Sequence, residues 1–224
     1  MNVPQRRCEV GLADARIVLV GTIQGLAGEA RHVQQAWDSF GPEGASIIAL
    51  GVPPEDVRNL QRIGREGVAA FMAEELDTGS YEESFLPQLS RFGDIAMPPD
   101  DLLLAEELSR RHGRPLVGLD LDDEAHADLY TESVGGIEML RSQMRLKKLV
   151  GKRAEAASTP EELVLLWDST FMALKGHRKM EEERERVMAE RIRALAGEHP
   201  RLLVVVALAR MEGVAELLGS RSLG

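Results

Sequence analysis

Arg201-Leu202-Leu203-Val204-Val205-Val206-Ala207-Leu208-Ala209 is the stretch whose reading decides the fold. Past Arg201 it is continuously apolar and β-branched at its centre, with no polar alternation. A run of this kind belongs to a strand covered on both faces, as in α/β sheets. Three shorter runs share the pattern. Arg16-Ile17-Val18-Leu19-Val20 stops at Gly21, and Ser46-Ile47-Ile48-Ala49-Leu50 is closed by Gly51 and Pro53-Pro54. Pro115 to Leu121 is the third.

Helical segments alternate with these strands. Gly28 to Phe40, Glu55 to Leu76, Ser80 to Phe92 and Asp101 to His112 read as helices, each closed or weakened by Gly or Pro. Glu124 to Val150 reads as one or two helices broken near Gly135-Gly136. Thr159-Pro160-Glu161-Glu162 opens another, with Thr as N-cap and Pro at the first helical position, and that helix is expected to run to Lys175 and stop at Gly176. A charged helix over 177–196 precedes the last strand, and a short one over 213–218 follows it. The expected architecture is α/β: a mixed, largely buried sheet flanked by helices, with a helical insertion at about 124–197 before the last strand. Residues 1–14 read as an N-terminal arm and 15–224 as one domain.

Composition narrows the classes of function. The 224 residues carry 27 Lys and Arg against 37 Asp and Glu, a formal charge of −10. That balance argues against nucleic acid as a partner, because phosphate binding needs clustered basic residues. A single cysteine, Cys8, allows no internal disulfide and is read as an ordinary exposed thiol. The N-terminal residues lack a signal-peptide core, and the run from Leu202 to Ala209 falls far short of the roughly 20 residues that cross a bilayer. A soluble, cytoplasmic protein without membrane contact is the expectation. The glycines at 21, 25 and 28 have the wrong spacing for a dinucleotide fingerprint, and no P-loop lysine follows, so no cofactor is expected.

Ligands in α/β sheets bind beyond the carboxyl ends of the strands. Those ends read Gly21-Thr22-Ile23-Gln24, Leu50-Gly51, Leu119-Asp120-Leu121-Asp122 and Ala207-Leu208-Ala209-Arg210-Met211-Glu212-Gly213. A helical motif, Glu183-Arg184-Glu185-Arg186-Val187-Met188-Ala189, precedes the last of them. In this order, over about 17–218, the segments resemble the TraB family, which includes pheromone-shutdown proteins and is related to the Tiki metalloproteases. The family's GTxH turn stands here as GTIQ, its LE pair as Leu50-Gly51, its DRD strand end as Asp120-Leu121-Asp122, and its GxGHxxG end as ALARMEG. Its ERDxxMA helix is nearly intact.

The resemblance implies a mixed α/β fold and a site at Thr22, Gln24, Gly51, Asp120, Glu183, Arg184 and Arg210. Relatives are thought to hold a divalent metal through two histidines and acidic partners. Here Gln24 and Arg210 stand at the histidine positions and Gly51 at the Glu position. A guanidinium has no lone pair to give. Its charge about 4 Å from a dication costs about 8 kcal/mol at an effective dielectric near 20. The expectation is a catalytically degenerate member without metal or catalytic residue, acting through binding or interaction. One alternative is a metal-dependent, peptidase-like hydrolase using Asp120, Asp122 or His126. Another is a small-anion protein using Arg184 and Arg210, against which stands simple pairing of both arginines with acids such as Glu183 and Glu212.

Two further readings complete the set. The run from Asp120 to Asp128 lacks the Gly and Glu a calcium loop needs, and reads as an acid-capped helix start. Met139, Met144, Met172 and Met180 lie in the helical insertion, where exposed copies would build a homodimer face and buried ones would fill core.

Overall fold

The four apolar runs become neighbouring parallel strands; three are buried on both faces, whereas the run read over 115–121 shortens to a half-buried edge strand, Leu116–Gly118. The computed structural model describes residues 5–68, 80–149 and 154–219. In chain order the first elements are β1 (Arg7–Leu12), β2 (Ala15–Thr22), α1 (Ala30–Asp38), β3 (Ile47–Leu50), α2 (Pro54–Glu66), α3 (Ser80–Leu89) and α4 (Asp100–His112). Then follow β4 (Leu116–Gly118), α5 (Asp123–Ser133), α6 (Gly136–Lys148), α7 (Pro160–Met172), α8 (Lys175–Ala196), β5 (Arg201–Ala207) and α9 (Leu208–Leu217). The strand order is β1-β2-β5-β3-β4, with β1 antiparallel to β2 and the rest parallel. The α/β expectation, a mixed sheet flanked by helices, holds.

Alternation along each strand divides the core into two layers. Val18, Val20, Ile48, Leu50, Leu203 and Val205 face α1, α2 and α4. Ile17, Leu19, Ile47, Leu202, Val204 and Val206 face the opposite way, onto Met188 and Ile192 of α8 and Met211 and Val214 of α9. The chain steps from β2 past one place to β3, on to β4, and then returns to β5 between β2 and β3. Right-handed crossovers put helices on opposite faces when the direction of travel reverses. So α1 and α2 leave β2 and β3 on one face, while α9 leaves β5 on the other. The carboxyl end of β5 is therefore a topological switch point, where such sheets open a crevice. A third apolar cluster, including Ile23, Leu89, Leu163 and Leu208, closes over that end.

Several boundaries differ from the sequence reading. Residues 7–12, read as part of an arm, form edge strand β1. Cys8, Val10 and Leu12 alternate and pack toward Ile17 and Leu19, so Cys8 is half-buried and not an exposed thiol. The hairpin loop Ala13-Asp14 carries Ala13 at φ 51, a conformation its composition does not advertise. The last strand stops at Ala207, and α9 begins at Leu208 with no loop between, so Arg210 sits in a helix. The helix opened by Thr159 ends at Met172, and Gly176 stops nothing. It lies in the first turn of α8, where a Cβ would collide with the Ser133 carbonyl oxygen. The helix read over 55–76 is described as far as Glu66, with Gly67 at φ 89 closing it, and residues 69–79 lie outside the described part. Among the described residues no helix is long and apolar enough to cross a membrane.

Candidate functional site

Helix α8 places three charged residues on its buried stripe. Met180, Met188, Ala189 and Ile192 are buried there, and Glu181, Arg184 and Glu185 share their spacing. Arg184 reaches Asp120, just past β4, with Nε at 3.1 and 3.2 Å and Nη2 at 2.5 Å. Its Nη1 donates to both oxygens of Glu181 at 2.9 and 3.0 Å. The Leu121 amide donates to Asp120 Oδ1 at 2.8 Å, and Arg191 donates to the Asp120 carbonyl at 2.5 Å. Burial opposes the charge on Arg184, but Glu181 and Asp120 outweigh it and raise its pKa further.

Arg210 enters from α9 with only 6% of its surface exposed. Its Nη1 donates to Glu185 at 2.7 Å, its Nη2 pairs with Asp168 of α7, and its Nε lies 3.6 Å from Glu181. Four carboxylates thus surround two guanidinium groups, and negative charge is in surplus. The cost falls on Glu185. Burial, then Glu181 and Glu182, push its pKa up to about 7, against the pull of Arg184.

Beside this network a cavity of about 640 Å³ opens among α5, α6, α7, α8 and the start of α9. Phe85, Tyr130, Phe171, Met172 and Met180 form much of its wall. Asp168, Glu181, Arg184 and Arg210 supply its charged side, with His126 and His177 nearby. The His177 ring lies 5.7 Å from that of Phe171 and 6.2 Å, edge to face, from that of Tyr130. Its Nε2 is buried without a hydrogen-bond partner among the described residues. Burial lowers the His177 pKa, with Glu138 and Glu181 opposing, which favours the uncharged ring.

The residues named from the sequence separate into two groups. Asp120, Arg184 and Arg210 come together. Glu183 does not: it turns outward and pairs with Arg186 at 2.5 and 2.8 Å, which lowers its pKa. Thr22 is buried and donates to the Val206 carbonyl at 3.4 Å. Gln24 is half-buried and does not line the cavity. Gly51 is set by packing, since a Cβ there would meet Val206 Cγ1 at 2.9 Å. Both arginines do pair with acids, but with Asp120, Asp168, Glu181 and Glu185 in place of Glu183 and Glu212. Asp168, Glu181 and Glu185 are the residues that sequence reasoning missed. For Glu181 and Glu185 a signal existed, because both fall on the apolar stripe of α8.

The donor set does not fit a divalent metal. Arg184 occupies both oxygens of Asp120, and Asp122 caps α5 by accepting from the Ala125 amide at 2.8 Å. Among the described residues no group of three or more His, Cys, Asp or Glu is placed to hold a metal. No protein-family model matches the chain, and no curated protein matches it.

Proposed function

We propose that the chain is a TraB-like protein whose family site has become a structural ion-pair lattice, and that it works by binding a ligand in the adjoining cavity. One observation carries the reading: Arg210, at a position where the resemblance implies a metal-binding histidine, is buried among Asp168, Glu181 and Glu185. A dication placed there meets a fixed guanidinium, and the carboxylates that would hold it are already engaged. The cavity, by contrast, lies in the size range of small-molecule sites and combines apolar walls with a few convergent polar groups.

The anion reading loses ground on the same geometry, because an anion has to displace carboxylates from both arginines in a region of surplus negative charge. The hydrolase reading draws on Asp120, Asp122 or His126; Arg184 holds Asp120 and Asp122 caps a helix, which leaves His126 on the cavity wall with neither carboxylate free to join it. A homodimer through the insertion belongs to the proposal for a specific reason. Ile137, Leu140 and Met144 of α6 are 73, 64 and 50% exposed and follow one helix face. Met139 is exposed beside them, whereas Met172 and Met180 line the cavity and play no part in that face. A cytoplasmic location completes the reading, supported by the lone half-buried cysteine.

The test loads purified protein with zinc and manganese, dialyses it against a weak chelator, and measures metal content and peptide hydrolysis. The expected result is neither retained metal nor cleavage, with fragment binding seen by NMR at Tyr130, Phe171 and His177. Near-stoichiometric metal with cleavage overturns the proposal. Sedimentation of the wild type and of Leu140→Glu tests the dimer.

A further inference from the structure

We propose that the cavity takes an organic cation, an amine or ammonium group on an apolar body, seated between the Tyr130, Phe171 and His177 rings and the carboxylates of Asp168 and Glu181. This rests on the binding reading above and names its ligand class. Three independent features converge. The chain is poor in aromatics at 4%, yet Phe85, Tyr130 and Phe171 all border this one cavity. Aromatic faces attract cations through their quadrupole, most strongly where water is excluded.

The second feature is charge. Asp120, Asp168 and Glu181, with a partly protonated Glu185, outnumber the two guanidinium groups and leave the lattice negative, and both arginines are paired with those acids. An ionised carboxylate has about four lone-pair positions. Glu181 and Asp168 border the cavity and keep acceptor capacity beyond their arginine contacts. Among the described wall residues both guanidinium groups, Arg184 and Arg210, are already paired with carboxylates. The third feature is the His177 ring, which borders the cavity 5.7 Å from the Phe171 ring and 6.2 Å from that of Tyr130, so that the aromatic groups cluster on one part of the wall. The aliphatic wall of Leu146, Val164 and Met172 then accepts the ligand's apolar body.

The experiment compares three probes of matched shape on the full-length chain by calorimetry and NMR: 2-phenylethylamine, 2-phenylethanol and 3-phenylpropanoate. The amine is expected to bind about tenfold more tightly than the alcohol, as one cation–π contact with carboxylate support allows, and the acid not at all. Tyr130→Leu and Phe171→Leu should each weaken amine binding while the urea midpoint shows the fold intact. Asp168→Asn should do the same, and the ring variants stand in for it should loss of the Arg210 partner unfold the chain. If the alcohol or the acid binds as well as the amine, the cation assignment is overturned and the cavity reading survives. If amine binding ignores both ring variants, the placement is wrong. If none of the three binds, both readings fall.

Discussion

Arg184 grips Asp120 side-on, with Nε and Nη2 both directed at the carboxylate and the closest approach 2.5 Å. Asp120 is 2% exposed and Arg184 keeps 24% of its side chain in solvent, so the pair is only partly desolvated. Removing one partner strands the other charge. Asp120→Ala is expected to cost about 2–3 kcal/mol, below the 3–5 kcal/mol of a fully buried pair because Arg184 retains water and Glu181. Asp120→Ala combined with Arg184→Met should recover much of that loss. Urea denaturation of the four proteins gives the coupling energy directly. A cost under about 1 kcal/mol for Asp120→Ala places the contact among surface pairs and removes it from the lattice.

The opposite corner of the lattice is tested through a glycine. Gly213 lies inside α9, where Gly→Ala ordinarily stabilises by about 0.5–1 kcal/mol. Here a Cβ would collide with Glu185 Oε2. Gly213→Ala must therefore push Glu185 away from Arg210, and its sign should reverse to a loss of about 1–3 kcal/mol. Glu185→Ala in the same chain removes the clash, so the second substitution should cost less in the Gly213→Ala background than alone. Additive costs in thermal melts would show that the carboxylate is not where the lattice requires it.

The layered sheet was legible because its inner strands β2, β3 and β5 are unbroken apolar runs, a pattern that fits strands covered on both faces beside Gly and Pro stops. β1 was not, because Arg7–Leu12 shows only a one-sided alternation and turns on Ala13, which carries no glycine or asparagine signal. The site was half legible. Asp120, Arg184 and Arg210 stand in motifs, whereas Glu181 and Glu185 reveal themselves only when α8 is wound and its charges fall among Met180, Met188 and Ile192. Glu183, next to Arg184 in the motif, is on the wrong face by the same winding. Asp168 has no local mark at all, since its partner Arg210 is fixed by the packing of α7 against α9.

Gly51 offers a test of whether an acidic residue at the position the TraB resemblance implies has room in this chain. Val206 Cγ1 lies 2.9 Å and Val206 Cα 3.2 Å from where a Cβ would sit. Gly51→Ala is expected to lose about 1–3 kcal/mol, the usual cost of overpacking. Val206→Ala should relieve only the side-chain part, because the backbone of residue 206 still crowds the new methyl group. Gly51→Glu should fail to give folded protein even when combined with Gln24→His and Arg210→His, which circular dichroism and metal analysis would check. A folded, metal-retaining triple variant would show that the strand ends can reopen.

Asp101 sets a pH dependence whose direction is unusual for a carboxylate. It is wholly buried in the first turn of α4, and neither oxygen accepts a hydrogen bond of good geometry among the described residues. Burial pushes its pKa up from 3.8 to about 6, with the Thr22 hydroxyl and the helix amides holding it back. A carboxyl whose folded pKa exceeds its unfolded one binds more protons when folded, so its contribution to stability falls as pH rises from about 4 to 6. A shift of that size corresponds to about 3 kcal/mol at pH 7, at 1.36 kcal/mol per unit. Other carboxylates, Glu9 and Glu161 among them, are lowered by arginines and act in the opposite sense, so the difference between variants is the clean observable. Asp101→Asn keeps the neutral shape at every pH. It should match the wild type at pH 4, exceed it by up to about 3 kcal/mol at pH 8, a figure already net of the helix amides' pull on the charge, and show a correspondingly higher Tm. Equal stability of the two proteins at pH 8 would mean that Asp101 ionises without penalty and that its burial is compensated.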